Sequence, residues 1–115
     1  MKANSKTIEK PWGKFEQFTH NEVSTVKILT VNPNSKLSLQ LHHQRVEFWK
    51  VVKGSCIVVI GEKQIHAKIG DEFKIKKETP HRLIGTKNIC QVLEISFGHF
   101  DENDIDRLDD DYNRI

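Results

Sequence analysis

The sequence predicts an all-β fold in which short strands form a barrel or a sandwich. Apolar and polar residues alternate over 37–42 and again over 73–76, which is typical of strands with one buried face. Turn-forming glycine, proline and asparagine residues separate such runs at short, regular intervals. No helical periodicity lies between the runs, so a barrel or sandwich is expected rather than a parallel α/β sheet.

The first four predicted strands cover residues 14–19, 23–31, 36–42 and 45–53. In the second strand, valine, isoleucine and threonine recur up to Val31, and the Asn-Pro-Asn sequence at 32–34 provides the turn that follows. The third strand carries the clearest alternation. A short connection that includes Gln44 leads into the fourth strand, which ends at the Lys-Gly-Ser turn of 53–55.

Five more strands are predicted over residues 55–60, 63–69, 72–76, 81–85 and 89–97. Turn signals at 61–63, 70–71, 78–80 and 85–86 separate them. Cys56 and Cys90 each lie inside an apolar strand-like run, and cysteine behaves as a small hydrophobic residue in protein cores. We therefore interpret both as buried free thiols.

The acidic C-terminal tail is predicted to contain a short helix over about 103–110. Ile105 and Leu108 keep the i, i+3 spacing, and acidic residues occupy the first turn, where the helix dipole favours them. A chain of 115 residues has the length of one domain. We expect a single domain over 1–115, with a core at about 11–100 and a tail at 101–115.

Charge and hydropathy argue against two classes of partner. The net charge is +2, with a basic body and an acidic tail, and the lysines are scattered rather than clustered beside aromatic residues. No nucleic-acid partner is therefore expected, although a mildly cationic cavity for a small anion is compatible with this charge. No run approaches the roughly 18 apolar residues of a membrane span, and residues 1–10 have no signal-peptide core. We expect a cytoplasmic protein.

Four residues have the spacing of a metal site. Gln40 and His42 lie two apart on one strand, so their side chains face the same side. Glu47 begins the next strand, and His81 follows Pro80 in a distant part of the chain. Two imidazoles, a carboxylate and an amide oxygen suit a divalent ion, with zinc as the first choice and Mn, Fe, Co or Ni as alternatives.

The remaining histidines are expected to have ordinary structural roles. His20, His66 and His99 are interpreted as polar surface or satisfied core residues. His43 points away from His42 and is expected outside the barrel or at its mouth.

The chain resembles a known family. Residues 37–54, LSLQLHHQRVEFWKVVKG, resemble the first signature motif of cupins as found in type II mannose-6-phosphate isomerases. Residues 10–16 resemble that family's P-W-G entry segment, residues 79–83 its second cupin motif, and residues 101–114 its acidic ending. In many relatives this module follows a mannose-1-phosphate guanylyltransferase domain, whose Gly-rich nucleotide-binding region is absent here. We expect a stand-alone isomerase-like domain.

This resemblance implies the cupin fold, a double-stranded β-helix or jelly-roll barrel, and often a homodimer. It also implies an enzyme that interconverts mannose 6-phosphate and fructose 6-phosphate with a divalent metal. Another sugar or nucleotide-sugar isomerase or epimerase of polysaccharide synthesis stays open, as does a non-catalytic sugar-binding cupin, because fold does not settle function.

Two arginines are candidates for contact with a sugar phosphate. Arg45 matches the arginine of the family's motif and is the candidate catalytic and substrate-binding residue, since a guanidinium can hold an oxyanion with two parallel hydrogen bonds. Arg82, beside His81, is a second candidate for substrate binding. Either arginine could instead pair with an acidic side chain at the surface.

The sequence departs from the family pattern at three places. Phe48 and Gln44 stand where relatives often have histidine, and the turn before His81 has no glycine. If the histidine that Phe48 replaces helps catalysis, turnover would be reduced or the substrate changed. Phe48 could instead fill the outer face of the barrel, because its side chain alternates with that of Glu47.

Overall fold

Eleven β-strands make up the fold, and the computed structural model describes residues 5–114 and contains no helix in that range. The strands are β1 (Lys6–Lys10), β2 (Gly13–Gln17), β3 (Ser24–Val31), β4 (Leu39–Leu41), β5 (Val46–Lys53), β6 (Ser55–Ile60), β7 (Lys63–Lys68), β8 (Glu72–Ile75), β9 (His81–Gly85), β10 (Cys90–Phe97) and β11 (Asp106–Asp109). The all-β prediction is confirmed. Strands β2 to β10 correspond to the nine predicted strands, and β4 is the most shortened, with 3 residues.

Two antiparallel sheets enclose the core. One has the strand order β3-β10-β5-β8 and the other the order β11-β4-β9-β6-β7, while β1 and β2 form a separate two-stranded sheet. The buried core cluster comprises Val31, Trp49, Val51, Cys56, Val58, Ala67, Ile75, Leu83, Cys90 and Val92. Because both sheets contribute to this cluster, the apolar faces of their strands pack against each other.

The predicted tail helix is wrong, because this segment forms a strand. Strand β11 pairs antiparallel with β4, with Arg107 opposite Gln40. Without β11, β4 would be an edge strand with unpaired backbone groups, and pairing satisfies them. That gain outweighs a weak local helix preference that rested on two apolar residues. One of them, Leu108, is 51% exposed and therefore does not mark a buried helix face.

Strand β1 lies outside the predicted strands and before the expected core range. Four of its five residues are exposed, and only Ile8 is half-buried. A strand without a buried apolar face has no alternating pattern by which its sequence could indicate it. Its pairing with β2 forms it instead, with Ile8 opposite Phe15.

Both cysteines are buried free thiols, as interpreted from the sequence. Burial raises the pKa of Cys56 to about 12, with a smaller contribution from the neighbouring Cys90. The neutral thiol is therefore the form present at neutral pH. Separately, no helix in residues 5–114 has the length and apolar character needed to cross a bilayer.

The turn between β5 and β6 depends on Gly54. This residue has φ +69, and a Cβ atom added to it would lie 2.4 Å from the carbonyl oxygen of Ile89. Gly70 also has a positive φ, +96, but an added Cβ would meet nothing within 4 Å. Alanine at Gly70 would carry only the free-energy cost of a non-glycine residue at positive φ, whereas alanine at Gly54 would carry that cost and a steric clash.

We expect Gly54→Ala to lower the free energy of unfolding clearly more than Gly70→Ala. Gly70→Ala, the control, should lower the free energy of unfolding by about 1 to 2 kcal/mol, the ordinary penalty of an L-residue in the left-handed region. Gly54→Ala adds a clash with backbone, which cannot rotate away as a side chain could. Urea unfolding of both variants measures the difference, and equal losses would contradict the clash.

Candidate metal centre

Three of the predicted ligands converge in the interior of the barrel. His42 follows β4, Glu47 lies in β5 and His81 begins β9, so the two larger sheets both contribute. The Nε2 atom of His42 lies 3.4 Å from Oε1 of Glu47, and Nε2 of His81 lies 3.2 Å from the same oxygen. All three side chains are buried, and their donor atoms lie within 4.8 Å of one another.

Backbone carbonyls orient both imidazoles. Nδ1 of His42 donates to the carbonyl oxygen of Asp104 at 2.7 Å, and Nδ1 of His81 donates to that of Thr79 at 2.8 Å. A carbonyl oxygen only accepts hydrogen bonds, so Nδ1 carries the proton in each ring. In the neutral rings, Nε2 therefore presents a lone pair toward Glu47, the arrangement that metal-binding histidines usually have.

The carboxylate of Glu47 fits a cation between these groups. Its Oε1 atom is buried and has no hydrogen-bond partner among the described residues, whereas Oε2 accepts from the Ser96 hydroxyl at 2.9 Å. A buried polar atom without a partner needs an explanation. Two imidazole lone pairs and one carboxylate oxygen form a donor set that suits a divalent transition metal or zinc. The residues present therefore fit a bound metal ion.

Electrostatics favours the charged form of Glu47. Burial by itself would raise its pKa, but interactions with the His42 and His81 imidazoles hold the pKa of Glu47 well below its ordinary value. A divalent cation bound between these groups would favour the ionised carboxylate in the same way. Protons and metal therefore compete for the same atoms.

Gln40, the fourth predicted ligand, lies on the wall of the same site. It is opposite His81 in the pairing of β4 with β9, is half-buried, and lines the same cavity as the three ligands. Its amide nitrogen lies 3.4 Å from the carbonyl oxygen of Ser38. Coordination by the Gln40 amide oxygen stays a prediction.

The three ligands line a cavity of about 220 Å³. Trp49 and Leu29 contribute apolar wall, while the loop after β10 contributes Phe100. A cavity with apolar walls and a few convergent polar groups is the usual form of a small-molecule site.

Arg45 is held at the edge of the metal centre. Its Nε donates to Oε2 of Glu47 at 3.3 Å, its Nη2 to Nε2 of His42 at 3.2 Å, and its Nη1 to the carbonyl oxygen of Asp101 at 3.1 Å. The guanidinium also lies over the ring of Phe100, 4.4 Å from its centroid. Arg45 thus pairs with Glu47, a buried candidate metal ligand, and the Arg45 side chain itself lines the cavity.

Arg82 has a different location from the one expected for a substrate contact. Its Nε donates to the carbonyl oxygen of Leu37 at 3.0 Å, and its Nη1 pairs with Asp109 at 3.1 Å. It is not among the residues that line the cavity. These contacts connect β9 with β11 and with the segment before β4.

Five charged residues on the cavity wall were not among the predicted site residues: Lys27, Glu94, Glu102, Arg107 and Arg114. Glu94 and Arg107 have a buried charged group or donor. Glu94 is buried and accepts a hydrogen bond from Nε1 of Trp49 at 2.9 Å; burial, and then the charge of Glu47, raise its pKa. Its only sequence signal is an acid at an inward position between Val92 and Ser96. Arg107 was missed because β11 was expected to be a helix.

Phe48, which replaces a histidine of the family pattern, does not line the cavity. It is buried on the other face of β5, and its ring packs against Phe18 with centroids 5.4 Å apart. It therefore fills the outer face of the barrel. In the turn before His81, Glu78 adopts the left-handed conformation that a glycine would otherwise provide, with φ 61.

The other histidines lie at the surface. His20, His66 and His99 are exposed. His43 is also exposed, and its Nε2 lies 2.7 Å from Oδ2 of Asp106. Its side chain lies outside the metal centre, on the rim formed with β11.

Comparison with known proteins identifies the relatives. The model of the mannose-6-phosphate isomerase C-terminal family matches residues 1–110. The alginate biosynthesis protein AlgA of Pseudomonas aeruginosa is 34% identical over 109 residues, which cover 93% of this chain and 23% of AlgA. The mannose-1-phosphate guanylyltransferase ManC of Salmonella typhimurium is 33% identical over 111 residues, covering 94% of this chain and 23% of ManC. The chain thus spans about a quarter of the length of these relatives.

Solved structures share the fold. A cupin-2 domain protein of Rhodospirillum rubrum superposes with a TM-score of 0.65 at 13% identity, over 86% of this chain and 72% of that one. A sugar phosphate isomerase of the cupin superfamily from Silicibacter pomeroyi gives 0.61 at 20% identity, over 66% and 51% of the two chains. The cupin fold expected from the sequence is confirmed. With the family model matching nearly the whole chain, the protein belongs to the mannose-6-phosphate isomerase C-terminal family of cupin domains.

Proposed function

We propose that this domain is a metal-dependent aldose–ketose isomerase that interconverts mannose 6-phosphate and fructose 6-phosphate. The observation that carries the proposal is the buried Oε1 atom of Glu47, which faces two imidazole Nε2 atoms and has no hydrogen-bond partner among the described residues. A divalent cation would satisfy all three atoms. Because these groups line a cavity, a sugar oxygen can approach a cation held there.

The expected chemistry matches the charges of the site. Isomerisation moves a proton between C1 and C2 of the open-chain sugar, and negative charge develops on the substrate oxygens. A metal held by His42, Glu47 and His81, with Gln40 as a further ligand, would supply Lewis-acid stabilisation of that charge. Arg45, fixed beside two of these ligands, places a positive charge where an oxyanion would form.

The relatives support the substrate class. The family is described as the C-terminal part of mannose-6-phosphate isomerase, ManC is a mannose-1-phosphate guanylyltransferase, and one structural neighbour is a sugar phosphate isomerase. A phosphorylated mannose or its ketose isomer is the substrate we therefore propose. Zinc is the proposed metal, since two histidines and a carboxylate form a common catalytic zinc site.

We also propose a cytoplasmic homodimer. Trp12 of the segment joining β1 and β2 is 73% exposed, and Phe15 of β2 is 38% exposed. Exposed large apolar side chains near each other favour a contact with another protein surface. Phe18, the next aromatic residue along the chain, packs against Phe48.

Two other functions would leave different results. A cupin isomerase or epimerase with another sugar or nucleotide sugar as substrate would bind metal without converting mannose 6-phosphate. A non-catalytic sugar-binding cupin would bind sugar without turnover of any of these substrates. Both are compatible with the fold, because one fold supports many functions.

The deciding experiment combines metal analysis with a turnover assay. We expect the purified protein to contain a stoichiometric divalent metal and to convert mannose 6-phosphate to fructose 6-phosphate. A chelator should stop turnover, and added zinc, manganese, iron, cobalt or nickel should restore it to different extents. Metal without turnover would contradict the proposed substrate, and turnover that survives complete metal removal would contradict the proposed mechanism.

A further inference from the structure

Four basic side chains line the cavity, and three of them have an acidic partner. Lys27 pairs with Glu102 at 3.4 Å, Arg45 pairs with Glu47 at 3.3 Å, and Arg114 pairs with Asp110 at 2.8 Å. These pairs offset part of the positive charge of the cavity wall.

Arg107 differs from the other three. Within residues 5–114 its guanidinium takes part in no hydrogen bond or ion pair, and its Nε atom is buried. A buried donor of a charged group that has no acceptor costs free energy, so such donors are usually paired. An anion in the cavity would supply the missing acceptor.

The sheet places Arg107 at a defined distance from the metal centre. β11 pairs with β4, which pairs with β9, and Gln40 lies opposite Arg107 on one side and opposite His81 on the other. Directly opposite residues project to the same face of a sheet, so Arg107 shares the wall of Gln40. Two strand spacings, about 10 Å, separate the backbone of Arg107 from that of His81. A ligand with a reacting end at the metal and a charged end at Arg107 would be elongated.

We propose that Arg107 binds the phosphate group of the substrate. This inference rests on the proposed function, because it takes the ligand to be a sugar phosphate with its carbonyl end at the metal centre. Guanidinium groups bind phosphate through two parallel hydrogen bonds, which a lysine cannot reproduce. A hexose 6-phosphate has its reacting carbons and its phosphate at opposite ends of the carbon chain, so its carbonyl end could lie at the metal centre while its phosphate contacts Arg107.

The test compares Arg107→Gln and Arg107→Lys with Lys53→Gln. Lys53 is exposed and does not line the cavity, so its variant reproduces the loss of one positive charge without changing the site. We expect Arg107→Gln to raise KM for mannose 6-phosphate and the inhibition constant of inorganic phosphate by roughly 10- to 100-fold, the usual effect of losing a hydrogen bond to a charged group. We expect kcat to stay near that of the wild type, and Arg107→Lys to be intermediate. The control should match the wild type.

Direct binding separates this inference from the proposed isomerase activity. Titration of the full chain with inorganic phosphate, followed by calorimetry, needs no turnover. If the wild type binds phosphate and Arg107→Gln does not, an anion subsite at Arg107 is supported even if mannose 6-phosphate is not converted. Unchanged KM and unchanged phosphate affinity in a folded Arg107→Gln variant would overturn the inference while leaving the isomerase intact. A fall in kcat alone would also overturn it.

Discussion

Glu47→Gln is expected to abolish high-affinity binding of divalent metal. The amide is nearly the same size as the carboxylate, so the cavity keeps its shape, but the charge between the two Nε2 atoms is lost. For the wild type, a metal present at 1,000 times its dissociation constant should raise the free energy of unfolding by about 4 kcal/mol, because it binds the folded state alone. The variant should show none of this gain. Thermal unfolding with and without zinc measures it, together with metal analysis of the purified proteins.

Glu102→Gln is the matched control for this loss of charge. Glu102 also lines the cavity, but it is exposed and its ion pair is with Lys27 rather than with a histidine. It should keep the full stabilisation by metal. His42→Ala and His81→Ala should behave like Glu47→Gln, and a folded barrel is expected without metal because neither residue belongs to the apolar core cluster. A metal-dependent gain in stability that persists in Glu47→Gln would refute the proposed metal centre.

Arg45→Met should reduce turnover of mannose 6-phosphate by about 10²- to 10³-fold, the usual cost of removing a donor that stabilises an oxyanion. Methionine preserves much of the apolar stem but has no positive charge. Metal content should not fall, because Arg45 donates to Glu47 and to Nε2 of His42 without being a ligand itself. Its donation to Nε2 of His42 competes with a metal for that lone pair, so removal should leave metal affinity unchanged or higher.

Arg45→Lys controls for charge alone. Lysine keeps the positive charge but cannot span Glu47, His42 and the carbonyl oxygen of Asp101 together, so we expect activity between those of the methionine variant and the wild type. The measurements are kcat, KM and metal content of all three proteins. Loss of metal in parallel with loss of turnover in Arg45→Met would show that Arg45 acts by holding the ligands rather than by contacting substrate.

Most strands could be predicted from the local pattern because a strand with one buried face has an apolar residue at every second position. The nine predicted strands match β2 to β10, and for β6 and β9 the predicted first and last residues are the observed ones. The ligand types could be predicted for the same reason: residues two apart on one strand share a face, and His42, Glu47 and His81 are ordinary metal ligands. Their convergence then follows from the way the two sheets close on each other.

Pairing between distant segments could not be predicted in this way. β1 has almost no buried side chain, and β11 has an apolar spacing that also fits a helix, so each is a strand because a partner strand is available. Because β11 was predicted to be a helix in a solvated tail, Arg107 was not predicted to face a cavity. Arg82 was expected near substrate on the basis of its neighbour His81, but adjacent residues on a strand face opposite sides.

By itself, the sequence determined the fold class, most strands and the chemical types of the candidate metal ligands, since these depend on residue type and on spacing within short segments. Tertiary structure alone decided that residues 106–109 close the sheet beside β4, that Arg45 binds Glu47, and that Arg107 reaches the cavity without an acidic partner among the described residues. The reason is physical. Local spacing sets which face of a strand is apolar, whereas the backbone hydrogen bonds and charge pairs available across the whole chain decide which segments meet.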